Sequence, residues 1–437
     1  AQEFARHLSL ALDVPQHQSY EEEFFHTVED DVGDDPLFRP AAGMEDEPDW
    51  SGDAEEPAAA VMPFTVHQHL RRLRGGRAPG PDGVSSDLLK AAPFTLSVVL
   101  ATLFTGSLRV GYVPARWRLA WTRMLPKPGK QLTEAVHFRP VSLTSCIAKV
   151  LERIFTQRLM RWCEARDLLP PEQSGFRPGR DTLEQVALLA QRAIQGMNGG
   201  LVTAVAALDV NKAYDSVWHR GLLYQCREVL TEPTSRWIAA FLHDRRMAVL
   251  ESGCLSEEFP VPGGVPQGSP LSPLLYVLHT RTMPLPRGPR IGATAYADDV
   301  ALFATSGTPA VAWRSLEPHL DALVEWGRRW RLRFSSEKTS AAFLSRRQGG
   351  WSEEELGEPT FDGAVLAWKD QVDILGVRLD RRLRMQRHAR WISQRAAPRI
   401  ADLRRIMLAQ RSIPHWIGLL LYKSLVRPAL TLSLIHI

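Results

Sequence analysis

Ala295-Tyr296-Ala297-Asp298-Asp299-Val300-Ala301-Leu302-Phe303 sets two adjacent carboxylates between two short apolar runs. The flanking residues predict strands over 293–297 and 300–304, so the acids fall where the chain must reverse. Two-residue hairpin turns favour Asn-Gly or Asp-Gly, because both central residues need positive φ. Asp-Asp suits that poorly, and paired anions repel unless a cation compensates them. Taken alone, such a pair reads more readily as a solvated turn. A second segment changes the balance. Leu201 to Leu208 has the pattern of a buried strand, predicted over 201–210, and it runs straight into Asp209. Asp209, Asp298 and Asp299 together could converge on divalent cations at one sheet edge. Mg²⁺ takes a few carboxylates plus substrate phosphates. Two such ions, roughly 3.5–4 Å apart, stabilise both oxygens of an in-line phosphoryl displacement. Neighbours on a strand point to opposite faces, which ranks Asp298 above Asp299 as a ligand.

The rest of the 437 residues gives that site a setting. The length suggests two to four domains or one large multi-part enzyme. With 44% hydrophobic and 23% charged residues, the chain is not wholly disordered, collagenous or a small disulfide-stapled fold. Cys146, Cys163, Cys226 and Cys254 are far apart with no CxxC pair. They read as buried thiols of a reducing compartment rather than as a zinc or disulfide framework.

The net charge of +4 hides an asymmetry. Residues 21–56 hold 15 Asp/Glu against Arg39 alone, a net of −14, and residues 57–437 carry +19. A body that basic suggests a polyanionic partner, although a merely soluble basic protein has the same count. Residues 1–60 read as an acidic leader or linker, largely disordered. Ala91 to Leu108 lacks charge but contains Pro93 and five hydroxyl residues. A buried helix is the expectation there, with no membrane span.

Helical spacing predicts a helix through Ile147, Leu151, Phe155 and Leu159. A second helix is expected from Thr182, with Gln185 completing a capping box. A third should follow the Gly263–Ser269 loop, with Pro270 and Pro273 in its first turn. Helices and strands mix without regular βαβ alternation, an α+β architecture. From Arg378 to Arg411 there are 11 arginines, two acids and no lysine. Ile400, Leu403, Ile406 and Met407 recur between them at helical spacing, so one face should pack and the other grip a phosphate backbone.

Several further motifs stand in order along the chain. They are Ala78-Pro-Gly-Pro-Asp-Gly83, Leu125-Pro-Lys-Pro-Gly-Lys130, Phe138-Arg-Pro-Val-Ser-Leu143, Gln173-Ser-Gly-Phe-Arg177, Gly264-Val-Pro-Gln-Gly-Ser-Pro-Leu-Ser-Pro273, Lys338-Thr339 and Ile374-Leu-Gly-Val377. With Leu208-Asp-Val-Asn-Lys-Ala-Tyr-Asp215 and Tyr296-Ala-Asp-Asp299, this collinear set resembles the reverse transcriptases of non-LTR (LINE-like) retrotransposons, of the jockey-like kind. The likeness runs from about Pro63 to Pro428. It implies a right-hand polymerase, with fingers and an antiparallel-sheet palm over 61–350 and an incomplete helical thumb over 351–437.

The resemblance also implies roles. Asp209, Asp298 and Asp299 match the metal-binding triad for two Mg²⁺, with Mn²⁺ an alternative. Tyr214 matches the aromatic that excludes a ribose 2′-hydroxyl. Gln267 and Gly268 match the loop approaching the incoming nucleotide, Lys127 and Arg139 the basic residues on its triphosphate, and Lys338 a lysine assisting pyrophosphate departure. Asp215 and Trp218 match family positions read as structural. RNA template, DNA primer or target DNA and dNTPs are the implied partners, and the nucleus the implied location. His279-Thr-Arg-Thr-Met283 departs from the acidic residue usual there. The chain reads as an internal fragment of a longer element. Two other readings stay open: a catalytically silent nucleic-acid-binding remnant, and an intron-encoded reverse transcriptase.

Overall fold

The computed structural model describes residues 1–12, 22–33, 56–127, 134–409, 414–427 and 430. Residues 34–55 of the acidic leader, Lys130 and the Thr431–Ile437 tail lie outside the described residues. The described chain mixes helices with predominantly antiparallel sheets and divides into two compact units.

The first unit comprises Ala1–Pro170, Lys212–Thr282 and Arg328–Leu332. Its sheet sets Leu119–Pro126 antiparallel to Phe138–Leu143 and parallel to Arg246–Glu251. The helix expected through Leu151 spans Cys146–Ala165, and Ser145 caps it by accepting from the Ala148 amide. Val150, Leu151, Ile154, Phe155 and Leu159 form its buried face, and each such side chain contributes about 1.5–3 kcal/mol by leaving water. The uncharged stretch near Ala91 forms the helix Phe94–Val110, which buries Leu100, Phe104 and Leu108. Among the described residues no helix is long and apolar enough to cross a membrane.

Two expectations are corrected here. The acidic leader contains the helices Gln2–Leu12 and Glu22–Gly33. Ala5, Leu8 and Leu12 lie one helical face apart and join Met124, Met247, Val249 and Val261 in a core. Phe24 meets Trp330 edge-on at 5.2 Å, and the Arg331 guanidinium sits 3.6 Å from the Phe25 ring centre. Charge count had concealed this apolar periodicity. Of the four cysteines, three are buried as expected, but Cys254 is exposed.

The second unit comprises Pro171–Asn211, Met283–Gly327 and Arg333–Ile437. Its five-stranded sheet runs Trp368–Lys369, Ser340–Leu344, Val202–Asp209, Asp299–Ser306, Ile291–Tyr296. The three strands read from the sequence are all present. Val205, Ala301, Phe303 and Ala342 form a core with Val186, Leu189 and Ala193 of the helix Thr182–Asn198. That helix is capped by Asp181, which accepts from the Glu184 amide, rather than by a Thr182–Gln185 box. Gln185 instead donates its side-chain amide to the Ser174 hydroxyl. The arginine-rich segment forms the helix Gln386–Ala409. Leu403 and Met407 are half-buried there, but Ile400 and Ile406 are 48% and 40% exposed, so the expected packed face is only partly covered.

Candidate active site

In the second unit, the antiparallel register places Asp209 directly opposite Asp299. Cross-strand partners share a face and bring their Cβ atoms to within about 5.5 Å. Two carboxylates therefore stand side by side at the open end of the same sheet face that packs, further along, on Thr182–Asn198. Asp299 opens its strand, and Ala297-Asp298 make the two-residue turn. This resolves the poor fit of Asp-Asp to a tight turn, since the residue with positive φ is Ala297, at 56°. Asp299 faces Asp209 across the strands, whereas Asp298 sits in the turn.

The electrostatics follow from that register. The surrounding protein desolvates Asp299, although the residue still reaches solvent. This desolvation, then the charges of Asp298 and Asp209, push its carboxyl up to about 6. Lys338 is brought to the same place by the turn after Phe334, where the Asp209 carbonyl accepts from the Ser335 amide at 2.9 Å. Its Nζ then lies 2.9 Å from Oδ2 of Asp209. The like charges of Asp298 and Asp209 on Asp299, and the all-oxygen donor set, fit a hard divalent ion. Among the described residues, no group of three His, Cys, Asp or Glu is already gathered at metal-ligand spacing.

The sequence reading did not single out Gln173 for this site. Its side chain is 4% exposed. Oε1 accepts from the Ala297 amide at 2.8 Å, and Nε2 donates to the Ala297 carbonyl at 3.1 Å. The signal was present in Gln173-Ser-Gly-Phe-Arg177, but nothing in a linear sequence joins that motif to a turn 124 residues away.

The remaining candidates lie in the first unit. Gln267 donates its amide to Oδ1 of Asp215 at 2.8 Å, and its carbonyl accepts from the Ser142 amide at 2.7 Å. Burial pushes the Asp215 carboxyl up, while the Gln267 bond and the Lys212 and Lys127 charges pull it down. Gly268 is at φ 133°, and a Cβ there would lie 2.5 Å from the Ser142 carbonyl oxygen, so no other residue fits. Tyr214 stacks on buried Tyr276 at 5.5 Å and 18°, and its carbonyl accepts from Val265. Lys127 donates Nζ to the Val136 carbonyl at 2.8 Å, and Arg139 is exposed on the strand opposite Leu125. Trp218 is buried, consistent with a packing role. His279, the departure from the acidic pattern, is fully buried and held down to about 4 by desolvation, so it is neutral. Lys127, Arg139, Tyr214, Gln267 and Gly268 thus belong to one compact unit, and Asp209, Asp298, Asp299 and Lys338 to the other.

The class of protein follows from comparison with known families. The chain belongs to the family described as reverse transcriptase (RNA-dependent DNA polymerase), whose model matches residues 125–379. It is 32% identical over 79% of its length to the probable RNA-directed DNA polymerase from transposon BS of Drosophila melanogaster, covering 39% of that protein. It is 29% identical over 86% of its length to the RNA-directed DNA polymerase from mobile element jockey of Drosophila melanogaster, covering 41%. To the probable RNA-directed DNA polymerase from transposon X-element of the same species it is 30% identical over 85%, again covering 41%. The chain spans about two fifths of the length of these relatives.

Proposed function

We propose that this chain is the RNA-directed DNA polymerase segment of a non-LTR retrotransposon, extending a primer 3′ end on an RNA template with dNTPs. The observation that carries the reading is the register of Asp209 against Asp299, with Asp298 next to it and the charges of Asp298 and Asp209 acting on Asp299. Those residues would hold two Mg²⁺ ions. When bound, the ions supply charge stabilisation at the attacking and leaving oxygens.

The chain's own residues account for the rest. Asp209 and Asp299 present oxygens from two hydrogen-bonded strands, so their spacing is fixed by the sheet and little must be reorganised on binding. Lys338 neutralises part of the charge on Asp209 and would stand ready to support a departing pyrophosphate. Tyr214, fixed by its stack on Tyr276, supports the role of a steric limit at the sugar 2′ position. Gln267, oriented by Asp215, and Gly268, which lets the backbone approach closely, suit contact with a nucleotide. Lys127 and Arg139 suit its phosphates. The right-hand arrangement of fingers, palm and thumb, and action in the nucleus on target DNA, belong to the same proposal.

The test is primer extension on a primed RNA template by the chain itself. Extension with dNTPs and Mg²⁺, abolished by chelation, is expected. No extension under any divalent ion, with template–primer still bound, would favour the silent nucleic-acid-binding reading instead.

A further inference from the structure

We infer that Gln173 is a positioning residue that clamps the acidic turn, holding Ala297 in its left-handed conformation so that Asp298 and Asp299 keep their places. The inference rests on the assignment of those two acids to the polymerase site.

A non-glycine residue at φ 56° is disfavoured by sterics, by roughly 1–2 kcal/mol. It persists only where the surroundings over-determine it. Gln173 does so with both ends of one amide, accepting from the Ala297 N–H and donating to the Ala297 C=O. A side-chain amide thus takes the place a neighbouring strand would fill, at a turn residue outside the strand pairing. The clamp is in turn held on every side. Oε1 of Gln173 also accepts from the Gly175 amide at 2.8 Å. The backbone of the loop runs beside the Ile291–Tyr296 strand, with Ala295 donating to the Glu172 carbonyl at 2.9 Å and accepting from Ser174 at 2.8 Å. The fully buried Ser174 hydroxyl takes the Gln185 amide from the Thr182–Asn198 helix, and Arg177 donates to the Gln173 carbonyl at 3.1 Å.

Gly175 shows how close the approach is. A Cβ there would lie 2.3 Å from the Ala297 nitrogen. Glycine is required so that the loop can lie against the turn, and Gln173 is the only side chain of the loop that bonds Ala297 among the hydrogen bonds of the described residues. A chain lacking the amide would leave the Ala297 N–H and C=O unpaired in a buried place, which costs about 1–3 kcal/mol. The turn would relax toward a right-handed conformation instead, and both acids would move with it.

A double-mutant cycle tests this. Gln173→Leu approximately keeps the volume and removes both bonds to Ala297, along with the one accepted from the Gly175 amide. Single-nucleotide addition on a primed RNA should slow by about 10- to 100-fold, the penalty for displacing reacting groups by about 1 Å. The KM for dNTP should stay within about threefold, and the Mg²⁺ needed for half activity should rise. In the Ala297→Gly background, where positive φ carries no steric cost, Gln173→Leu should slow the reaction by less than about threefold.

A second readout needs no metal. Hydrogen exchange at the Ala297 amide should quicken in Gln173→Leu while exchange in the Val202–Asp209 strand is unchanged. If Gln173→Leu unfolds the unit, Gln173→Glu carries the test. It keeps an acceptor for Ala297 and Gly175 but sets a carboxylate oxygen against the Ala297 carbonyl and adds an anion beside the acidic turn, so it should lose at least as much as Gln173→Leu. Equal losses in the two backgrounds, or full activity in Gln173→Leu and Gln173→Glu, would overturn the clamp. Failure of the underlying site assignment looks different: Asp298→Asn would then be as active as the parent, whatever Gln173 does.

Discussion

The acidic turn of the second unit and the Gly264–Ser269 loop of the first are both short, both follow apolar segments, and are held in opposite ways. At the turn, the like charges of Asp298 and Asp209 act on Asp299, and Lys338 lies 2.9 Å from Asp209. In the loop, two carboxylates join the backbone bonds, Asp215 accepting from Gln267 and Glu152 from Ser269. Gly264 donates to the Val217 carbonyl at 2.8 Å, Val265 to that of Tyr214 at 2.8 Å, and the Gln267 carbonyl accepts from Ser142. His219 contributes a ring nitrogen 2.6 Å from the Gly264 carbonyl oxygen. The loop is complete without a ligand, whereas the turn carries charge that a ligand would relieve. The difference separates two ways a fold prepares for a substrate: stored electrostatic repulsion for a cation, and fixed backbone geometry for whatever approaches the loop.

The larger effect should come from the loop's steric limit. Gly268→Ala places a methyl 2.5 Å from the Ser142 carbonyl at a φ of 133°. Either the loop or the Phe138–Leu143 strand must shift. Nucleotide addition should fall by about 10²-fold, the scale expected for an ångström of displacement, with the Mg²⁺ requirement unchanged. A Gly268→Ala enzyme with parental rates would show that this backbone is not held against its neighbour.

A smaller effect separates the two regions by pH. Asp299 has its pKa raised to about 6, so the metal-free second unit binds protons on folding. Its penalty is absent below the unfolded value of 3.8, builds as pH rises from there, and is complete above about 6. Because Asp299 still reaches water, the energy is on the order of 1 kcal/mol. His219 and His279 go the other way. Desolvation lowers both to about 4, so their contribution is present above 6.5 and fades as pH falls toward 4. The loss should reach about 2 kcal/mol for each at pH 5. Between pH 7 and pH 5 without divalent ions, protection factors, which remove the slowing of intrinsic amide exchange by acid, should rise around Asp299 and fall in the Ser272–His279 helix. Parallel responses in both regions would break the contrast.

How much of this was legible in the sequence depended on whether the cause was local. Apolar runs ending at Asp209 and flanking Asp298 and Asp299 gave the strands, because burial patterning is local. The identity of the residue that turns the chain was not legible. Hairpin preference is argued from the two central residues, and here Gln173, 124 residues away, overrides it. Likewise, Asp181 won the cap of the Thr182–Asn198 helix because Gln185 was committed to Ser174. The leader's helices were missed because the 15 acids of residues 21–56 set the reading of the whole leader, the spacing of Ala5, Leu8 and Leu12 included. The arginine helix was read correctly as a helix. Its exposed Ile400 and Ile406 show that periodicity names a face without showing what covers it.

The central claim is that the acids at the open end of the sheet work as a set in nucleotide addition. Its most direct measurement is single-turnover dNTP incorporation on a primed RNA by the parent, Asp298→Asn and Asp299→Asn, across a Mg²⁺ titration. Both variants should fold, bind template–primer and lose incorporation at every Mg²⁺ concentration. Near-parental incorporation in either one would contradict the assignment.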